Sequence, residues 1–295
     1  MDKVVTLEKP FSLSVKLQDY AQLTKMRLAS LVVFSASMAF MLAPGEINFT
    51  KMWLLTLGGF LVTGSANGFN QILERELDKL MARTLMRPLP DNRMGVTEAL
   101  VVCSVFGIIG VFILSYYMNA LSGILGILAI VLYTLVYTPL KRKTPFAVFV
   151  GAVPGAIPPM LGWVAATGTI GLQGWLLFSI QFLWQFPHFW AIAWVLDDDY
   201  KKAGFNLLPT GNRDKGSALQ ALLYTLSLIP IGVMPYVFQL SGWISLVVIM
   251  LVSLYFLYQA WKLYQRCDMA TARSLMYGSF IYLPVVFIAL VLDKI

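Results

Sequence analysis

The strongest constraint on this chain is a series of apolar runs, each long enough to cross a bilayer. Nine such stretches occur, at roughly 28–44, 51–73, 96–117, 121–140, 145–167, 172–196, 217–239, 242–262 and 274–292. A helix of about 20 apolar residues spans the hydrocarbon core. The runs take up most of the 295 residues and leave no separate soluble domain. Charged residues make up 13% of the chain, against about 25% in a soluble domain. The expected fold class is an all-α integral membrane protein, a bundle of about nine transmembrane helices. Residues 10–24, ahead of the first run, read as an interfacial helix. The chain thus divides into an N-terminal segment, 1–27, and a transmembrane domain, 28–295.

Charge tests this division. Of the 22 Lys and Arg, only Lys51 and Lys294 fall outside the N-terminal segment and the loops that follow the second, fourth, sixth and eighth runs. Basic residues gather on the cytoplasmic side, so the N-terminus and those loops are expected there and the C-terminus opposite. The net charge of +7 is then a topology signal and not a nucleic-acid footprint. Asp2 and Glu8 stand where a signal peptide would need its basic and apolar regions. A bacterial inner membrane is the simplest location. Two cysteines, Cys103 and Cys267, and one histidine exclude a zinc centre and a His-pair haem within one chain.

The second run extends into a polar end. Asn70, Glu74 and Asp78 are four residues apart, so successive side chains drift by only about 40° and share a face. Hard oxygen ligands suit Mg²⁺, which binds through one or two carboxylates plus substrate phosphates. Arg83 and Arg87 follow, and arginine grips phosphate oxygens with paired donors. Together they suit a metal-bridged diphosphate. The plainer alternative is a solvated helix end with ion pairs such as Glu74–Lys79 or Glu76–Arg83. Polar groups at the edge of an apolar span favour the functional reading.

The sixth run ends in Asp197, Asp198 and Asp199, followed by Lys201 and Lys202. Three adjacent carboxylates repel one another unless a cation joins them. Both acidic clusters lie on the cytoplasmic side and could hold two Mg²⁺ across one diphosphate. Some of these aspartates could instead cap the helix or pair with the lysines. Leu89–Pro90 and Leu208–Pro209 echo each other after the two clusters. His188 lies about two turns inside the same run. It reads either as a buried imidazole bonded to a neighbouring helix or as a contact for a substrate's polar group. The aromatic stripe Phe182, Trp184, Phe186, Phe189, Trp190 and Trp194 is either packing or the wall of a site for a large flat ligand. Lys141 and Arg142, in the loop after the fourth run, are either topology anchors or a third cationic element. Gly151, Pro154, Gly155, Pro158, Pro159 and Gly162 predict a kinked, closely packed fifth helix.

These residues resemble a known family. Asn70, Glu74 and Asp78, followed by Arg83–Thr84 and Arg87–Pro88–Leu89–Pro90, look like the first motif of the UbiA-type intramembrane prenyltransferases. Finer strings resemble that family's haem-farnesylating branch. They are Leu23–Thr24–Lys25–Met26–Arg27, Tyr137 through Arg142, Gly155 through Pro159 with Gly162–Trp163, Pro187–His188–Phe189–Trp190, Asp198–Asp199–Tyr200 and Ala272 through Leu275. The resemblance runs from about residue 20 to the end. It implies a nine-helix bundle around a central cavity that opens to the cytoplasmic side, with two Mg²⁺-binding motifs. It assigns Asn70, Glu74 and Asp78 to the first motif, and Asp199 with Asp198 to the second. Arg83, Arg87 and Lys141, with Arg142 beside them, would meet the diphosphate. Asp78 and Asp199 would be catalytic, and His188 would orient haem or guide water. Glu74 stands where the wider family often has Asp, and Met26 where many relatives have Pro. Asp197 falls where relatives often carry a basic residue.

The implied substrates are farnesyl diphosphate and haem B, in a setting of membrane lipid, with haem A synthase as a partner. The implied reaction gives haem O. Transfer to an aromatic acid or quinone precursor is the related alternative. A secondary transporter is the alternative from another class, but transporters place coupling acids near the midplane.

Overall fold

The computed structural model describes residues 13–295, and each of the nine apolar runs lies in a helix. Helix α1 (Leu13–Leu23) meets α2 (Met26–Leu42) at a 51° bend. Then follow α3 (Phe49–Asp78), α4 (Val96–Met118), α5 (Ala120–Leu140), α6 (Ala147–Thr167), α7 (Gly171–Lys202), α8 (Lys215–Val237), α9 (Trp243–Arg266) and α10 (Met269–Leu292). The interfacial helix expected over 10–24 corresponds to α1. Its residues 10–12, like Lys3 and Lys9 of the 1–27 segment, lie outside the described residues.

Among the described residues, α4, α5, α6, α8, α9 and α10 are long and apolar enough to cross a membrane, and α1 with α2 adds a seventh if counted as one broken span. Helices α3 and α7 are the longest, at 30 and 32 residues. Their mean hydropathy is lowered by polar side chains that face protein: Asn67, Asn70, Gln71, Glu74 and Asp78 on α3, Gln181 and Gln185 on α7 are all buried. An average over a helix cannot see which way a polar group points.

From α2 onward consecutive helices pack side by side, α1 packs on α3, and α10 returns to α2, so the bundle closes on itself. Helix α6 is its pivot, packed on both α2 and α7. A Cβ on Gly162 would fall 1.9 Å from the Ala36 carbonyl oxygen, so only glycine lets α2 and α6 approach this closely. Pro159 has no N–H to give the carbonyl of Gly155, four residues back. Gln181 of α7 supplies the missing donor, its Nε2 donating to the Gly155 oxygen at 2.7 Å. Gln185 Nε2 donates to the Ala152 oxygen at 2.9 Å. The first amide satisfies the carbonyl that Pro159 leaves open, and the second adds a further hydrogen bond from α7 to the same helix.

Two π-helical turns, Leu114–Met118 and Leu132–Tyr137, interrupt the regular α geometry of α4 and α5. The loop expected between the eighth and ninth runs shrinks to Cys267 and Asp268. Lys262, Arg266 and Arg273 are helical, because polar turns extend both helices past their apolar stretches. On the opposite face, Asp293 Oδ2 accepts from the Ser245 N–H at 2.6 Å and caps α9, while Lys294 Nζ donates to the Met41 oxygen at 3.1 Å at the end of α2.

Candidate active site

The last three turns of α3 bring Asn70, Glu74 and Asp78 onto one buried face, with Asp78 wholly enclosed. Each meets a cation. Lys25 Nζ donates to Asn70 Oδ1 at 3.4 Å. Lys141 Nζ lies 2.6 Å from Glu74 Oε1. Arg87 Nη1 donates to Asp78 Oδ2 at 2.7 Å. Three basic side chains thus converge on two carboxylates and an amide, and burial, with Arg87 and Lys141 nearby, lowers the Lys25 pKa to about 7.

Each cation has a local reason to be there. Lys25 sits at the α1–α2 break with φ 49°, a left-handed conformation that side chains rarely adopt. The break is held by α3: Asn67 Nδ2 donates to the Thr24 oxygen at 3.4 Å, and Gln71 Nε2 to the Gln22 and Leu23 oxygens at 2.9 and 2.7 Å. Lys141 follows the π-turn of α5, a feature common at functional sites. That turn also brings Thr138 Oγ1 to within 3.0 Å of Asn70 Nδ2, from which it accepts. The Lys141 ammonium lies over the rings of Tyr137 and Phe205, at 5.0 and 5.2 Å. Burial lowers the Lys141 pKa, and the Glu74 carboxylate opposes that fall. Arg87 is set by the turn after α3, where Thr84 Oγ1 donates to the Asp78 oxygen at 2.8 Å.

The second acidic cluster divides three ways. Asp199 Oδ1 accepts from the Ala82 N–H at 3.1 Å, Oδ2 from the Arg83 N–H at 3.4 Å, and Lys202 Nζ lies 3.2 Å away. Burial works against its charge, but those donors outweigh it and hold the carboxyl below its usual range. Asp199 therefore joins the end of α7 to the turn that bears Arg83. Asp198 is exposed and gripped by both terminal nitrogens of Arg213, at 3.0–3.1 Å. Asp197 is buried and pairs with Lys201 at 2.8 Å. The structure thus brings Asp199 toward the first motif through backbone contacts and leaves Asp198 outside.

Arg83 is exposed, with its guanidinium 4.7 Å from the centre of the Tyr200 ring. Arg142 is exposed and makes no ion pair among the described residues. Glu76 pairs with Lys79 at 2.8 Å rather than with Arg83. His188 Nδ1 meets Ser279 Oγ of α10 at 2.7 Å. The Ser279 hydroxyl donates to the Met276 oxygen at 2.6 Å, so its proton is committed and His188 Nδ1 donates. Nε2 is then the ring's acceptor. The imidazole stacks on Trp184 at 4.4 Å, while Trp194, Phe186 and Trp190 are core residues. In the sequence Lys25 reads as a topology charge within the Leu23–Arg27 string, and nothing there marks Thr138 as a partner of Asn70. The signal for Lys25 was its place at the junction of an interfacial and a crossing segment.

The donor set fits Mg²⁺. Asp78 Oδ1 is buried and has no hydrogen-bond partner, and Glu74 Oε1 has only the Lys141 ammonium beside it. Two carboxylates and an amide are hard oxygen donors of the kind this ion takes alongside phosphate. No group of three or more His, Cys, Asp or Glu able to hold a metal assembles among the described residues.

The UbiA prenyltransferase family model matches residues 31–289. This chain belongs to the UbiA prenyltransferase family. The protoheme IX farnesyltransferase of Cytophaga hutchinsonii is 50% identical over 280 residues, 94% of this chain and 98% of that one. The protoheme IX farnesyltransferase of Christiangramia forsetii is 48% identical over 283 residues, 94% of each chain. Among solved structures, a digeranylgeranylglyceryl phosphate synthase superposes with a TM-score of 0.78 at 20% identity, over 95% of this chain and 98% of that one. A UbiA homologue from Archaeoglobus fulgidus bound to GPP and Mg²⁺ does so with a TM-score of 0.67 at 15% identity, over 92% and 99%.

Proposed function

We propose that this chain transfers the farnesyl group of farnesyl diphosphate to a vinyl group of haem B, giving haem O and diphosphate. The observation behind the site is the buried face of Asn70, Glu74 and Asp78 ringed by Lys25, Lys141 and Arg87. The observation behind the acceptor is the identity to protoheme IX farnesyltransferases over nearly the whole chain.

Asn70, Glu74 and Asp78 would hold Mg²⁺, which when bound supplies Lewis-acid neutralisation of the diphosphate. The three cations are poised to stabilise charge that develops on the diphosphate as the C1–O bond breaks. The vinyl group's terminal carbon then bonds to farnesyl C1. Water adds to the neighbouring carbon and loses a proton, leaving a hydroxyethylfarnesyl group. Apolar walls keep bulk water from reaching the allylic carbon first. His188, with Nδ1 committed to Ser279, offers Nε2 to orient haem or guide that water.

In this reading all nine runs cross the inner membrane, with the N-terminal segment and the acidic clusters on the cytoplasmic side. A central cavity opens to that side. Asp199 and Asp198 contribute a second metal motif once substrate is present, and Arg83 and Arg142 add to the cationic rim. Haem A synthase is the natural consumer of the product.

The test is incubation of the purified protein with haem B, farnesyl diphosphate and Mg²⁺, followed by mass spectrometry. Haem O is the expected product. Prenylation of an aromatic acid with no haem product would move the chain to another branch of its family.

A further inference from the structure

The turn between α3 and α4 carries Arg87 and doubles back on itself. The Asp91 N–H donates to the Arg87 oxygen at 3.0 Å, and the Arg93 and Met94 N–H groups donate to the Pro88 oxygen at 2.9 and 3.1 Å. Asn92 supplies the left-handed residue at the bend, with φ 56°. This fold places Arg93 in contact with its own loop and with α1 at once.

The Arg93 side chain is a junction. Its Nε donates to Asp19 Oδ1 of α1 at 2.9 Å, and Nη1 meets Asp91 Oδ2. Its Nη2 donates to the Met86 oxygen at 3.0 Å and to Gln22 Oε1 of α1 at 3.2 Å. Asp19 is buried, and among the described residues its ion-pair partner is Arg93. A buried carboxylate left without its cation is strongly destabilising, so this contact is not an incidental surface pair. Helix α1 is itself fixed from the other side. Lys16 Nζ and Tyr20 Oη both bond Glu98 of α4, at 3.0 and 2.9 Å, and Gln71 of α3 holds the α1 C-terminal carbonyls.

We propose that Arg93 is a positioning residue for the diphosphate site, and that α1 acts through it to hold Arg87 in place. The route has few links: Asp19 to Arg93, Arg93 to the Met86 carbonyl, and the next residue, Arg87, to Asp78. The proposal rests on the diphosphate reading of the Asp78–Arg87 face. It gives α1, ahead of the first apolar run, a part in substrate affinity. A planar fork can bond Asp19, Met86 and Gln22 together, whereas a lysine ammonium is a point charge that can pair with Asp19 without bracing the loop.

The test compares wild type, R93K and the charge-free double variant D19N/R93Q as full-length protein in detergent, with K51Q on the opposite face as control. Binding of inorganic diphosphate with Mg²⁺ is titrated by calorimetry, melting is recorded, and KM is measured for each substrate. R93K is expected to melt like wild type yet bind diphosphate about tenfold more weakly, with KM raised for farnesyl diphosphate and unchanged for haem B. D19N/R93Q should show the same affinity loss. Wild-type diphosphate affinity in a folded R93K overturns the proposal. So does a loss in both KM values that merely follows a lower melting temperature. A wild-type protein that binds no diphosphate defeats the underlying reading, and this inference with it.

Discussion

Asp78 and Arg87 meet at 2.7 Å across the end of α3, and the other carboxylate oxygen of Asp78 is buried without a hydrogen-bond partner. One oxygen is neutralised by a residue suited to phosphate, and the second is available to a hard cation. Arginine and lysine differ here, because only the guanidinium can hold Asp78 and a diphosphate oxygen from one planar group. Arg87→Lys is expected to leave the melting temperature within a few degrees and to weaken farnesyl diphosphate binding by roughly 10- to 100-fold, the loss of one charge-assisted bond. Steady-state KM for farnesyl diphosphate measures it.

Gln181 and Pro159 form a compensating pair through the Gly155 carbonyl. Gln181→Leu removes the donor and should cost about 1 kcal/mol, at the low end for an orphaned carbonyl. The low figure follows because Gln181 Oε1 is itself buried without a partner, and the substitution removes that penalty too. Pro159→Ala restores an N–H to α6. The double variant should therefore melt above Gln181→Leu alone, and additive losses would show that the two residues are independent.

Asp214 caps α8, accepting from the Ser217 N–H at 2.8 Å and from Thr210 Oγ1. Those hydrogen bonds hold its carboxyl below the usual aspartate range. Stability from this cap is therefore complete above the unfolded-state pKa and is lost as pH falls through the lower folded-state value. Asp214→Ala should cost about 1 kcal/mol at neutral pH, as for other N-caps. The difference from wild type should vanish in acid melts.

The charge pattern yields a topology that labelling can read. With Cys267 replaced by Ser, cysteines placed at Lys51 and at Arg142 should react with an impermeant reagent from opposite sides of sealed vesicles. Labelling from one side would break the alternation of the nine runs.

Continuous apolar length was enough to place each of the nine runs in a helix, and among the described residues six of those helices, or seven with the α1–α2 pair, are long and apolar enough to cross a membrane. The spacing of Asn70, Glu74 and Asp78 was enough to put them on one face, because four residues is close to a helical turn. The cations around them were harder to read. Lys25 reaches Asn70 only because a left-handed residue breaks the chain before α2, and Lys141 reaches Glu74 only after a π-turn in α5. Neither distortion has a residue-level signature. The run Asp197–Asp199 divides because its residues are adjacent rather than four apart. Adjacent residues on a helix point 100° apart, so the three carboxylates found three different partners in Lys201, Arg213 and the Ala82–Arg83 backbone.

Dependence of turnover on Asp78 is tested most directly by haem O formation by wild type and Asp78→Ala, measured side by side by mass spectrometry on protein shown to be folded in the membrane. Wild type should convert haem B to haem O in the presence of farnesyl diphosphate and Mg²⁺, while the variant forms none above background. Normal haem O formation by folded Asp78→Ala would contradict it.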